Sequence, residues 1–164
     1  MKEMIMSKGR KVFNKVYEIL STIIIVPGVV IIVGYMYGIR LYDVRSGSMG
    51  DVLPVGCACF VNTHESFEDI KAGDIIAFRV SDDMFVTHRA VRITPECIYT
   101  KGDENDTEDP DPVTEENYIG RTFYEIPRIG AALRSVHTRK GTAVISGIIL
   151  LIVAAGFVYR KNNK

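Results

Sequence analysis

The chain has 164 residues, enough for one modest domain with anchoring segments, and its 20 Lys and Arg balance 20 Asp and Glu. The charge is unevenly spread: residues 38–141 carry 12 basic and 18 acidic residues, which argues against a nucleic-acid surface, since phosphates need a basic patch. Three cysteines (Cys57, Cys59 and Cys97) are an odd number and exclude a complete disulfide framework.

In chain order, residues 1–15 are polar and basic, with Lys2, Lys8, Arg10, Lys11 and Lys15. From Val16 to Tyr37 the sequence is almost wholly apolar. As a helix this run spans about 33 Å, enough to cross a bilayer core. Pro27-Gly28 falls mid-run, where a membrane helix tolerates a kink. A cleaved leader has a shorter apolar region and a small-x-small cleavage site; this run ends Gly34-Tyr35-Met36-Tyr37-Gly38, so an uncleaved anchor is expected. The basic residues ahead of it place the N-terminus in the cytoplasm. A second apolar run, Thr142 to Tyr159, reaches about 27 Å and shows no polar face. It returns the chain to the cytoplasm, with residues 160–164 as a short tail. The expected protein is a multi-pass protein of the cell membrane, in contact with lipid, with residues 38–141 on the extracytoplasmic face.

That middle region reads as mostly β. Cys57–Asn62, Ile75–Val80, Phe85–Ile93, Glu96–Lys101 and Tyr118–Tyr124 are the expected strands, separated by turn signals such as Lys71-Ala72-Gly73-Asp74 and Ser81-Asp82-Asp83. Cys57 and Cys59 share a face in extended chain and read as small buried hydrophobes. A Cys-x-Cys metal site lacks further ligands at a suitable spacing.

The stretch Val44-Arg45-Ser46-Gly47-Ser48-Met49 offers two hydroxyls, a Gly for a tight turn and a Met to anchor it, just after the first apolar run. A serine hydroxyl attacks well only when a base takes its proton. The candidate bases are His64, in a polar turn; His137, beside the second apolar run; His88, inside a strand, where the local pattern alone fits a structural histidine; and, less well, the turn lysines Lys71 and Lys101. The loop from Lys101 to Pro110 supplies Asp103, Asp106 and Asp109, any of which could orient an imidazole or simply be solvated. Calcium is a further reading of Asp103, Asn105 and Thr107, but Glu108 and Thr114 stand where a calcium loop needs Gly and Glu.

Four segments in order resemble the signal peptidase I family, specifically its ER-type (Ser-His) branch, and among these the W-type Gram-positive and archaeal members. They are Ser46-Gly47-Ser48-Met49 with Pro54-Val55-Gly56, Gly73-Asp74-Ile75-Ile76-Ala77-Phe78, Thr87-His88-Arg89-Ala90-Val91, and Thr100-Lys101-Gly102-Asp103-Glu104-Asn105. A fifth, Gly120-Arg121 with Ile126-Pro127-Arg128-Ile129-Gly130, matches more weakly, and the likeness covers roughly residues 15–130. The resemblance implies a signal-peptidase-like β catalytic domain between an N-terminal and a C-terminal transmembrane helix. The implied enzyme is a serine endopeptidase that cuts signal peptides from exported preproteins, with no cofactor and no metal. It implies Ser48 as nucleophile, His88 as general base and Asp109 as orienting acid, with Asp103 a second essential candidate. Ser46 is the runner-up hydroxyl. One departure is Asp51, where the family box has Pro. The alternative reading is a membrane-anchored binding module whose acidic loop holds cations or an exported partner. The sequence leaves open whether further membrane subunits take part.

Overall fold

The computed structural model describes residues 2–82, 84–136 and 138–162, so His137, Asp83 and the terminal Lys164 considered above lie outside the described residues. The chain divides into two units: residues 1–33 with 135–164, and residues 34–134.

The first unit is helical. Helix α1 runs Lys2–Met36 and helix α3 runs Arg139–Asn162. Both outrun the apolar segments that announce them, because a helix continues through flanking basic residues as readily as through leucines. Within them, Gly9–Met36 and Arg139–Tyr159 each hold an 18-residue window of high mean hydropathy, 2.5 and 2.4, and are long and apolar enough to cross a membrane. Two hydroxyls in α1 are satisfied locally: Ser21 Oγ and Thr22 Oγ1 donate to the Glu18 carbonyl at 3.1 and 2.7 Å. The two helices touch where Tyr17 stacks on Tyr159, with ring centroids 5.0 Å apart, and where the Tyr159 hydroxyl donates to Glu18 Oε1 at 3.0 Å.

The second unit is an antiparallel sheet of six strands. They are β1 (Ile39–Asp43), β2 (Ala58–Asn62), β3 (Ile75–Ser81), β4 (Met84–Ile93), β5 (Ile98–Lys101) and β6 (Tyr118–Ile126), in the spatial order β1-β2-β6-β3-β4-β5. Five of the six match expected strands to within a few residues. A 3-10 turn spans Phe67–Asp69, and a short helix, α2, spans Gly130–Val136. Neither β1 nor α2 was expected. β1 is a five-residue edge strand whose conformation is set by pairing with β2 (Leu41 opposite Phe60), and α2 has only seven residues, too few to show a period.

Strand β3 lies inside the sheet, and both of its faces are covered, which is why Ile75–Phe78 reads as an unbroken apolar run. Ala77 joins Met49, Leu53, Cys57, Cys59 and Val61 on one side. Ile76 and Phe78 join Ile70, Ala90, Ile98 and Val113 on the other. Each large side chain in these clusters stabilises the fold by about 1.5–3 kcal/mol through burial. Two features of this arrangement position the site. Met49 and Leu53, each 2% exposed, plug the segment between β1 and β2 into the first cluster. His88 faces inward from β4, paired across to Ile76.

Candidate active site

Ser48 sits on a run of tight turns, with Gly50 N–H bonding the Gly47 carbonyl at 2.9 Å and Val52 N–H the Met49 carbonyl at 3.2 Å. Gly50 has φ +54°, a left-handed conformation that costs glycine least, and the Glu104 side chain lies against its Cα, where a Cβ would collide. The Ser48 carbonyl accepts the Glu104 N–H at 2.9 Å. Gly102 comes so close that a Cβ there would stand 2.6 Å from the same carbonyl. The loop after β5 therefore clasps the backbone of Ser48, while Met49 pins it from the core side.

Opposite the hydroxyl lies His88, only 7% exposed. Its Nε2 is 2.9 Å from Ser48 Oγ, and its Nδ1 is 2.7 Å from Asp109 Oδ2. An ionised carboxylate only accepts, so Nδ1 carries the ring proton and donates it to Asp109. Neutral Nε2 is left with its lone pair toward the serine hydroxyl. Asp109 is held in turn: its N–H donates to the Thr100 carbonyl at 2.8 Å, and Thr100 Oγ1 donates to Oδ2 at 2.7 Å. Thr100 is fully buried. The ring of Phe78 meets the imidazole edge-on, with centroids 6.2 Å apart.

Asp103 is not part of this line. It accepts two hydrogen bonds from Arg89, from Nε at 2.8 Å and from Nη2 at 2.6 Å, and Arg89 Nη1 donates to the Gly73 carbonyl at 2.8 Å. These bonds hold the Asp103 carboxyl below the usual carboxylate range, against a smaller opposing effect of burial. Glu108 pairs with Arg92 at 3.1 Å, and Lys101 Nζ donates to the Asn105 carbonyl at 2.8 Å. Asp103, Glu108 and Asp109 thus turn to three separate partners, Arg89, Arg92 and His88.

The remaining sequence candidates lie as follows. Ser46 Oγ is 3.2 Å from Ser48 Oγ. His64 is in the turn after β2, its N–H bonded to Asn62 Oδ1, with its ring against Gly38. A cleft of about 570 Å³ opens beside Ser48, lined among others by Tyr42, Val44, Cys59, Ala77 and Val86. Sequence reasoning passed over the roles of Thr100, Arg89 and Gly102, although all three stand inside segments it had singled out.

A family model described as "Signal peptidase, peptidase S26" matches residues 16–122, a stretch that holds Ser48, His88, Asp103 and Asp109. The chain belongs to this signal peptidase family. Among its relatives, Signal peptidase I W of Bacillus subtilis (strain 168) is 32% identical over 126 residues, which cover 70% of this chain and 66% of the relative's length. The chain therefore spans just under two thirds of that signal peptidase. Asp51, which stands where the signal peptidase box usually has Pro, is exposed beyond the turn, while Met49 and Leu53 on either side of it remain fully packed. Burial pushes the Cys59 thiol up to about 11, with Cys57 beside it adding to the shift. Cys59 is thus an inert floor of the cleft, and Cys57 and Cys59, both buried, are free thiols.

Proposed function

We propose that this chain is a membrane-anchored serine endopeptidase that removes signal peptides from exported preproteins, with Ser48 as nucleophile, His88 as general base and Asp109 as the acid that orients it. The observation that carries this reading is the continuous line of hydrogen bonds from Asp109 Oδ2 through the two nitrogens of His88 to Ser48 Oγ, at 2.7 and 2.9 Å. In the reaction, Ser48 Oγ attacks the carbonyl carbon of the scissile bond as His88 Nε2 takes its proton. Asp109 stabilises the imidazolium so formed, without itself taking the proton. The proton then passes to the leaving amine, which departs as the new N-terminus. Water, deprotonated by the same nitrogen, releases the signal peptide from the serine ester. The Ser48 N–H, with the Ser46 hydroxyl beside it, is the donor set for the oxyanion.

The cleft suits an extended substrate. β1 pairs on one side with β2, and β5 reaches only as far as Arg89 along β4, so the Asp43 end of β1 and the Met84–His88 stretch of β4 both present open edges to the cleft. A strand laid between them takes main-chain hydrogen bonds from either side. Small side chains at the first and third positions before the cut then face the shallow floor at Cys59 and Ala77, as the family resemblance implies. The runs 16–37 and 142–159 cross the membrane, and residues 38–141 stand on its extracytoplasmic face. This tethers the peptidase unit to the bilayer that also holds the substrate's apolar segment.

In cells that depend on this chain for export, Ser48→Ala and His88→Ala each lead to accumulation of uncut preproteins, read by the size of the exported products. Unchanged processing in both variants contradicts the proposal.

A further inference from the structure

Arg45 is the charged side chain nearest in sequence to Ser48 on the N-terminal side, and its place in the backbone pattern is fixed. Val44 spends its own polar groups on the segment before β2: its N–H bonds the Cys57 carbonyl at 3.0 Å, and its carbonyl accepts the Gly56 N–H at 2.9 Å. In extended chain the polar groups of neighbouring residues point to opposite sides, so those of Asp43 and Arg45 point to the open edge at the cleft. Side chains alternate as well. Tyr42 and Val44 pack inward on the buried cluster, which turns Asp43 and Arg45 outward together. Their contact agrees with this, since Arg45 Nε donates to Asp43 Oδ2 at 2.9 Å.

The same oxygen of Asp43 accepts a second guanidinium, Arg134 Nη1 at 2.7 Å. Burial alone raises the Asp43 carboxyl, but the hydrogen bonds and charges of the two arginines together bring it below its usual range, so it stays ionised. One carboxylate between two guanidiniums leaves a net positive charge at the rim of the cleft. The Arg45 side chain is 74% exposed, and among the described residues its two Nη groups carry no hydrogen bond. They are free to meet a substrate.

We infer that Arg45 selects for an acidic side chain two residues before the cut, an inference that rests on the peptidase reading above. A substrate strand added to the edge at Asp43–Arg45 alternates as β1 does. With its first and third residues before the cut turned into the cleft, its second turns outward. That is the face on which Arg45 stands, and same-face neighbours on adjacent strands interact directly. The carbonyl under attack lies at Ser48 Oγ, level with Ser46, whose Oγ is 3.2 Å away. One step along the strand brings the second residue level with Arg45. A Glu or Asp there gains an ion pair with the free Nη groups, and a Lys or Arg is repelled.

The test uses the full chain reconstituted in phosphatidylcholine vesicles and three preproteins that differ only in carrying Glu, Ala or Lys two residues before the cut. The readout is the ratio of kcat/KM between them, which is independent of how fast each enzyme variant works. Attraction of one substrate and repulsion of another at an exposed site give the native chain a Glu-over-Lys preference of about tenfold at low salt. The preference shrinks toward unity at about 0.5 M salt. Arg45→Ala flattens it, and Arg45→Glu reverses the order, an inversion that loss of structure cannot produce. A native ratio within about twofold, or an order that survives Arg45→Glu, overturns the inference while leaving the peptidase reading in place. If the native chain cuts none of the three, the peptidase reading fails, and the inference with it.

Discussion

Asp103 and Asp109 lie in one loop, six residues apart, and the structure gives them different work. Asp109 faces the imidazole and is fixed by Thr100. Asp103 grips Arg89, the residue after the histidine in sequence but on the other face of β4. The sequence contained both aspartates and the order of the motifs, yet it could not say which carboxylate met the ring, because that depends on how the loop folds back on β5. Asp103 acts through structure, and this has a pH signature. Its carboxyl is lowered in the folded chain. Above about pH 4, the ordinary carboxylate value, the folded and unfolded chains are both ionised there and the full contribution to stability is present. As pH falls below that value the unfolded chain takes up the proton first, and the contribution disappears as pH passes through the lowered folded value. Asp103→Asn is therefore expected to cost about 1 kcal/mol at neutral pH, the pair being partly open to water. Urea unfolding of the two chains is expected to converge as the pH is brought below 4. A gap that stays constant down to the acid limit contradicts this role.

At the scale of elements, the nucleophile turn and the loop after β5 form one unit, although 54 residues of sequence separate Ser48 from Gly102. Their contact is tight backbone packing: Glu104 N–H on the Ser48 carbonyl, and Gly102 where no side chain fits. A Cβ at Gly102 would stand 2.6 Å from Ser48 O, 2.9 Å from Asn105 Nδ2 and 3.0 Å from Ser48 Cβ. Gly102→Ala is expected to push the turn away from His88 and lower kcat by about a hundredfold, the usual cost of misplacing a reacting group by an ångström. Thermal unfolding reads the effect on the fold separately from the effect on rate. Wild-type kcat in a folded Gly102→Ala chain contradicts the account. Strands β2 to β6 were legible because each shows apolar residues between turn signals. β1 was not, because the apolar helix before it masks its start and only its pairing with β2 makes it a strand. The role of Gly102 was hidden for the same kind of reason: a glycine shows no pattern until the chain that presses on it is in place.

At the scale of the molecule, the chain joins a unit of two apolar helices to a small sheet whose buried clusters serve the site as much as the fold. Met49 and Leu53 seat the serine, and Phe78 and Ile76 flank the histidine. The two apolar helices and their basic flanks were plain from sequence, since length and hydropathy are properties of contiguous residues. The line from Asp109 to Ser48 was only foreshadowed, by three segments in family order. Under the proposed mechanism it makes one demand on the whole protein: all of its catalytic power must pass through a single imidazole held in a single tautomer. The most direct measurement is the cleavage rate of a preprotein by the full chain in vesicles, comparing Asp109→Asn with Asp103→Asn. An amide at position 109 can donate to Nδ1 and so favours the wrong tautomer. The account predicts that Asp109→Asn lowers kcat by roughly 10⁴ with KM little changed. Asp103→Asn is predicted to keep kcat within about tenfold and to lose mainly stability. An Asp109→Asn enzyme that cuts within about tenfold of the native rate, or an Asp103→Asn enzyme that is the more crippled of the two while still folded, would contradict it.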